Sequence, residues 1–322
     1  MGAHAVTSSD VRGRWNGRSY RIIRTLGSGA NGQVYLALEN NRKYALKLST
    51  DATGIALEYR LLRQLQNKLQ SGGTNTVQGF RLGPFVSDLD DAVMEDGKQV
   101  FFYTMEYIAG IPVSSYIRDI GFTAIRSIAL QLLDFLQQLH EIGYAFGDLK
   151  AENVLVNPIT GEVRLVDFGG ATRLGEGIRQ YTEWYDRATW HTGSRRAESG
   201  YDLFAAAMLL VKLLLPDTQK IIPGRSGFIK IRKHLSQSPA TRAWLPMLEK
   251  AWRGGFRNAR QMRVAVLQIP VSDREGKGSK GTGRFFRKID RELSREWDWS
   301  HWLVIGSAVL SMSMVLRLFM VK

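Results

Sequence analysis

Apolar and polar positions alternate weakly from Tyr20 to Leu26 and again through GQVYLALEN, residues 32–40, which predicts two strands. ENNRK then reads as a hairpin turn and KYALKLS, ending at Ser49, as a further strand. From Ile55 to Leu69 the period becomes helical, with Leu57, Leu61, Leu62 and Leu65 as apolar positions. A longer helical pattern runs from Ala124 to Ile142, and a short apolar strand follows Asn153. Residues 271–283, VSDREGKGSKGTG, predict a flexible linker, and Arg284 to Trp299 a short mixed-charge helix at a membrane surface. Trp302 to Val321 is twenty residues with one charge, Arg317. At about 1.5 Å per residue such a helix spans about 30 Å, the thickness of a hydrocarbon core, so a single transmembrane helix is expected over 302–321. Trp297, Trp299 and Trp302 stand where an interfacial aromatic belt would. Eight Lys/Arg lie between Arg274 and Arg295, against Lys322 alone beyond the span. That asymmetry predicts a single-pass protein on the inner face of the cell membrane, with everything before Trp302 cytoplasmic.

Composition narrows the chemistry. The 322 residues are 44% hydrophobic and 23% charged, a balance that excludes wholesale disorder. The absence of cysteine excludes disulfide scaffolds, thiolate metal sites and cysteine nucleophiles. The five histidines form no H-x-x-x-H pair, which argues against a histidine-based zinc site. The N-terminus has no apolar signal region, and Val6 stands where a myristoylation motif needs Ser or Thr. The net charge of +14 is concentrated: residues 221–270 hold ten Lys/Arg and one acid, Glu249, while 25–220 is net acidic. Arg225, Lys230, Arg232 and Lys233 cluster, and Arg253, Arg257, Arg260 and Arg263 recur at helical spacings on about one face. Such a stretch suits a polyanion, either DNA bound without sequence preference or an anionic membrane surface; the plain alternative is a solvated basic face.

The residues that carry chemistry come in a fixed order. Gly27, Gly29 and Gly32 form G-x-G-x-x-G, followed by Val34. A dinucleotide-binding fingerprint would open a helix, whereas these glycines join two strands, an arrangement that lets backbone N–H groups cradle phosphate. Lys47, late in the next strand, directs an ammonium at the same phosphates. Glu58 shares a helix face with Leu61, Leu62 and Leu65, so an inward carboxylate finds Lys47 as its cation. Asp148, Lys150 and Asn153 lie within six residues, and Asp167 ends LVD before two glycines after Phe168. Asp148 suits a base, Asn153 and Asp167 offer oxygens to Mg²⁺, and Lys150 supplies positive charge.

This set resembles the Hanks-type protein kinases over roughly Tyr20 to Leu267. The resemblance implies an α+β, bilobal fold over 18–270. Its first lobe, 18–108, would be a small antiparallel sheet with one helix, and its second, 109–270, mostly helical. Residues 1–17 would be an N-terminal extension, 271–301 a juxtamembrane linker and 302–321 the membrane helix. It implies ATP with Mg²⁺ as cofactor, Mn²⁺ being an alternative ion, and protein serine or threonine as substrate. ATP-binding positions would be Gly27, Gly29, Gly32, Val34, Ala45, Lys47 and Glu58, with Glu106 and Ile108 at the hinge after Met105. Asp148 and Lys150 would be catalytic, Asn153 and Asp167 metal ligands, and Asp202 the buried aspartate of a central helix. The segment 172–194 would carry autophosphorylation sites, with Thr172, Thr182, Thr189, Thr192 and Ser194 as candidates, reached through self-association. FGDLK, the Tyr181–Arg187 run and the C-terminal span are similar to a narrower group, the tail-anchored, DNA-associated sporulation kinases.

The chain departs from the pattern at two places. Phe146 and Gly147 replace the His and Arg of H-R-D, which removes the cation that pairs with a loop phosphate. The A-P-E motif shrinks to Ala197-Glu198, and the arginine expected to partner Glu198 falls near Gly255, so that ion pair is expected to be absent. Phe-Gly-Asp also parallels the His-Gly-Asp of small-molecule phosphotransferases, but Lys150 favours the protein-kinase type. No phosphate, metal or base position is lost, which argues against a pseudokinase or scaffold.

Overall fold

A computed structural model describes residues 10–29, 32–71, 83, 85–179, 181–218 and 221–270. The predicted linker and membrane helix, 271–321, lie outside the described residues. Among the described residues no helix is long and apolar enough to cross a membrane. The described residues fall within one compact unit.

The first lobe is an antiparallel six-stranded sheet in the order β1-β2-β3-β4-β6-β5. Its strands are β1 (Asp10–Arg12), β2 (Ser19–Gly29), β3 (Gly32–Glu39), β4 (Arg42–Ser49), β5 (Val86–Val93) and β6 (Gln99–Glu106). Asn40 and Asn41, both at positive φ, make the tight turn joining β3 to β4, as the ENNRK pattern predicts. Helix α1 (Ala52–Ser71) lies in sequence between β4 and β5. Asp51 starts it, accepting a hydrogen bond from the Gly54 amide at 3.0 Å. Leu62 and Leu65 are buried as the period predicts, but Leu57 faces solvent.

The sheet starts eight residues before the boundary expected at 18, because β1 pairs with β2. The turn after it docks on two buried carboxylates of β5. Asp90 accepts hydrogen bonds from the Trp15 and Asn16 amides, and Asp91 from Arg14, Trp15 Nε1 and Gln99. Burial alone would raise the pKa of Asp91; the bonds from Gln99, Trp15 and Arg14 outweigh it and hold the group below the usual carboxylate range.

The second lobe begins with β7 (Ile111–Pro112), α2 (Val113–Ile120) and α3 (Ala124–Glu141). Short strands β8 (Tyr144–Ala145), β9 (Val154–Val156), β10 (Val163–Leu165) and β11 (Thr172–Arg173) follow, then α4 (Ser199–Leu214). Helices α5 (Arg225–Leu235), α6 (Pro239–Arg242), α7 (Leu245–Trp252) and α8 (Ala259–Leu267) complete it. Helix α4 is apolar almost all round and accordingly buried from Tyr201 to Leu214 apart from Lys212. The other helices of this lobe close over it and over the apolar face of α3.

The arginines at 253, 257, 260 and 263 do not form one helical face. Only Arg260 and Arg263 lie on α8; Gly254, at positive φ, ends the preceding helix and separates Arg253 from them.

Candidate active site

Strand alternation aims the first group of residues. Ala45 and Lys47 lie two apart on β4 and so share a face, with Val34 of β3 paired across from Lys47. That face meets α1, whose helical period turns Glu58 inward. Lys47 Nζ donates to both Glu58 oxygens, at 2.6 and 2.7 Å, with both side chains largely buried. Tyr103, opposite Lys47 on β6, closes the back of this pocket. Burial and the adjacent Glu58 carboxylate push its phenol well above its ordinary pKa, so it stays neutral.

Gly27, Gly29 and Gly32 flank the tip of the β2–β3 hairpin, where Gly29 pairs with Gly32. Gly32, at φ +126°, could take no side chain: a Cβ there would lie 2.5 Å from the Leu48 carbonyl oxygen. At the hinge, Glu106 ends β6 and pairs through its carboxylate with Arg164 at 2.9 Å, while Ile108 is half-buried just beyond.

The second group hangs from α4. Asp202, fully buried, accepts hydrogen bonds from the Phe146 amide (2.7 Å) and the Gly147 amide (3.0 Å), and meets His140 Nε2 at 2.8 Å. A buried carboxylate satisfied by two backbone amides fixes the loop that leads into Asp148 to the lobe's central helix. Asp148 follows at once. Lys150 Nζ lies 2.5 Å from Asp148 Oδ2, and the Asn153 amide group donates to the Asp148 carbonyl at 2.9 Å. That bond leaves the Asn153 side-chain oxygen available to a cation. Asp167, in a left-handed conformation at φ +60°, is half-exposed and 3.9 Å from Lys47. Phe168 behind it packs edge-on against Phe146 and Phe135. The phenylalanine at 146 thus fills an aromatic cluster rather than leaving a gap.

These residues fit a nucleoside triphosphate with Mg²⁺. Among the described residues a Cβ built on Gly27 or Gly29 meets no atom within 4 Å, so packing against them does not demand glycine there, whereas close approach of a phosphate would. Asn153 and Asp167 are hard oxygen donors. Among the described residues no group of three or more His, Cys, Asp or Glu could hold a metal ion.

The activation segment contains residues that sequence reasoning missed. Glu198 is paired after all: Arg187, eleven positions earlier, meets it at 2.7 Å. The cation stands in the same segment as Glu198 and not near Gly255, where the kinase pattern would put it. Asp186, fully buried, accepts from Thr189 Oγ1 at 2.7 Å and pairs with Arg195 at 2.8 Å. Burial would raise its pKa, but the hydrogen bonds from Thr189, Arg195 and the Ala188 amide hold it below the usual range. Gly147 has φ +81°, and a Cβ there would overlap the Gly170 carbonyl oxygen. The side chain of Ile178 fills the space beside it and packs with Ala145, Ala197 and Tyr201. Backbone bonds Gly175 N–Ala197 O, Ile178 N–Arg195 O and Ala197 N–Glu176 O, each 2.8 Å, tie the two sides of the segment.

The five candidate hydroxyls separate. Thr172 donates to the Gly170 carbonyl, Thr189 to Asp186 and Thr192 to the Arg187 carbonyl. Thr182 donates to Asp148 Oδ1 at 3.2 Å, so it sits against that carboxylate. Ser194 is exposed, and its hydroxyl bonds nothing among the described residues.

Known proteins share this arrangement. The protein kinase domain family matches residues 20–252. The chain is 34% identical over 258 residues to serine/threonine-protein kinase YabT of Bacillus subtilis, covering 80% of this chain and 73% of YabT. It is 25% identical over 254 residues to serine/threonine-protein kinase PrkC of the same organism, covering 74% of this chain and 36% of PrkC. Among solved structures, vaccinia related kinase 3 superposes with a TM-score of 0.57 at 17% identity, over 82% of this chain and 91% of that one, a likeness of fold. With the lysine–glutamate pair, the catalytic loop and the Asp-Phe-Gly turn in place, the chain belongs to the protein kinase family, as a bacterial Hanks-type serine/threonine protein kinase.

Proposed function

We propose that this kinase is catalytically competent, that it uses ATP and Mg²⁺, and that it phosphorylates serine or threonine of proteins, its own activation segment included. The observation that carries the reading is the two-pronged Lys47–Glu58 pair beside Asp167, which sets the phosphate-binding ammonium without any further rearrangement.

Catalysis of this kind is mostly positioning and charge stabilisation. Mg²⁺-ATP supplies the phosphoryl group that moves. Amides of the Gly27–Gly32 hairpin and the Lys47 ammonium hold its phosphates, and Glu58 keeps Lys47 from straying. Asn153 and Asp167 would supply oxygens to the metal. Asp148 Oδ1 and Oδ2 orient the incoming hydroxyl and accept its proton, while Lys150 offsets charge beside them. Thr182, hydrogen-bonded to Asp148, fixes the carboxylate's orientation from the substrate side. The test is incubation of the protein with labelled ATP and Mg²⁺. Asp148→Asn and Lys47→Ala should each lower transfer by at least a hundredfold with the fold intact; undiminished transfer in Asp148→Asn would refute the mechanism.

Autophosphorylation, on this reading, falls chiefly on Ser194, the candidate whose hydroxyl is exposed and unspent. A second copy would reach it, so transient self-association is part of the proposal. Residues 302–321 would anchor the chain with the kinase domain cytoplasmic. The basic surface of residues 221–270 would meet a polyanion, DNA or anionic lipid. Phosphopeptide mapping tests the autophosphorylation site, and flotation of the full chain with vesicles tests the anchor.

A further inference from the structure

The ten cations of residues 221–270 are not equally available. Arg232 and Arg253 both pair with Glu249, at 2.6 and 3.1 Å. Arg263 pairs with Asp134 at 2.8 Å, and Arg260 lies 4.0 Å from Glu141. Arg242 is spent on the Ser236 carbonyl and Lys250 on the Phe256 ring. Arg225, Lys230, Lys233 and Arg257 have no carboxylate partner among the described residues, and the first three lie on α5.

Helix α5 has two unlike faces. Gly227, Ile231 and Leu235 are buried, and Phe228 stacks between Trp190 and Trp252 at 4.6 and 4.9 Å. The outer face carries Arg225, Ser226, Ile229, Lys230 and Lys233, all exposed. Ile229, 59% exposed, stands one turn from Arg225 and one from Lys233. Ile222, 73% exposed, lies on the turn that feeds the helix; its carbonyl abuts Gly227. One exposed isoleucine is ordinary; two among three unpaired cations make a mixed apolar and basic face.

We infer that this face of α5 docks on an anionic lipid surface, with Arg225, Lys230 and Lys233 meeting headgroup phosphates and Ile222 and Ile229 entering the boundary with the acyl chains. Duplex DNA would use the cations but offers little to the isoleucines, whereas a lipid interface rewards both. The anchor proposed at 302–321 would tether the chain to such a surface. The inference rests on the proposed basic contact and selects its partner. A grip of three cations is weak on its own, each contributing about fivefold to binding. Anchoring makes it effective by raising local concentration, so docking would orient a kinase domain already tethered.

The chain has no cysteine, so Ser226→Cys gives one site for an environment-sensitive fluorophore on this face. The full chain is mixed with vesicles of 30% phosphatidylglycerol in phosphatidylcholine, with pure phosphatidylcholine vesicles, and with duplex DNA. The expected result is a blue shift with the anionic vesicles alone. Lys230→Gln/Lys233→Gln should lower the affinity of that response about 25-fold, and Ile222→Ser/Ile229→Ser should lower it at unchanged charge. Activity on a serine peptide, which uses none of these residues, reports that the variants fold. Flotation with neutral vesicles reads the anchor separately, so failure of anchoring and failure of docking are distinguishable. A silent label on anionic vesicles, a response indifferent to the isoleucines, or a response to DNA in place of lipid would each overturn the inference.

Discussion

Ile178→Ala tests how the activation segment is held. Ile178 is 6% exposed, and its Cδ1 lies 3.3 Å from where a Gly147 Cβ would be. Alanine removes three carbons, about 2.4 kcal/mol of transfer free energy at about 0.8 kcal/mol each. A residual cavity would add to this, but Gly177 and Arg179 on either side are exposed, so water can enter and the cost stays near the lower end of the range of about 2–5 kcal/mol for such truncations. About 2.5 kcal/mol is nearly two decades in the equilibrium between closed and open segment. The loss is local, because Ile178 packs in a small cluster apart from the main core. Amide exchange should therefore quicken by up to two decades at Gly175, Ile178 and Ala197, whose bonds tie the segment, while protection within α4 stays unchanged. Trypsin should cut faster at the exposed Arg173 and Arg179. In phosphatase-treated enzyme, kcat/KM on a serine peptide should fall with the closed fraction, and Ile178→Val, one methylene smaller, should keep most of it. Wild-type exchange, proteolysis and activity in dephosphorylated Ile178→Ala would show that the segment is ordered by something else.

Gly147→Arg, which writes the arginine back into the catalytic loop, should lower kcat/KM at least tenfold instead of creating phosphate-dependent activity. A left-handed L-residue costs about 1–2 kcal/mol, and its Cβ would overlap the Gly170 backbone, so kinetics before and after autophosphorylation decide the case. Asp186 has a folded pKa below its unfolded one, so its contribution is complete above the ordinary carboxylate range, near pH 4, and is lost as pH falls through the folded value. Thermal unfolding of wild type against Asp186→Asn should show a gap that is constant from pH 7 to about 5 and narrows below about 4; a gap that widens with acid would contradict the sign. Mass spectrometry after incubation with ATP should find Ser194 phosphorylated ahead of Thr189 and Thr192, and a clean Ser194 beside a modified Thr189 would reverse that assignment.

The parts of the site that were legible in sequence are those whose partners lie close along the chain or are aimed by a regular period. Alternation on β4 puts Ala45 and Lys47 on one face, and the helical period of α1 turns Glu58 toward them. Asp148, Lys150 and Asn153 meet within one loop. The parts that were not legible depend on where unrelated segments come to rest. Nothing in the spacing of Arg187 and Glu198 marks them as partners, since the turn that joins them has no repeating period. The arginines from 253 to 263 look like one face only if the helix is continuous, and Gly254 interrupts it. The two carboxylates at 90 and 91 read as strand-surface charge until the turn after β1 is seen to lie on them.

Gly147 and Ile178 belong to one substitution of physical means. A charge pair between a loop arginine and a phosphate makes order in the segment conditional on modification, because burying either partner alone is costly. An isoleucine seated beside a glycine makes that order unconditional: the apolar contact exists as soon as the chain folds, and neither salt nor phosphatase removes it. The arginines nearby are already committed, Arg187 to Glu198 and Arg195 to Asp186, so a phosphate on Ser194 would have to compete for them or settle for Arg196. Phosphorylation of the segment would then change what it binds more than whether it is ordered. On the proposed reading, control of such an enzyme would rest on placement, meaning which copies and substrates are held near one another, and a basic, apolar-tipped α5 face docked on lipid would supply it.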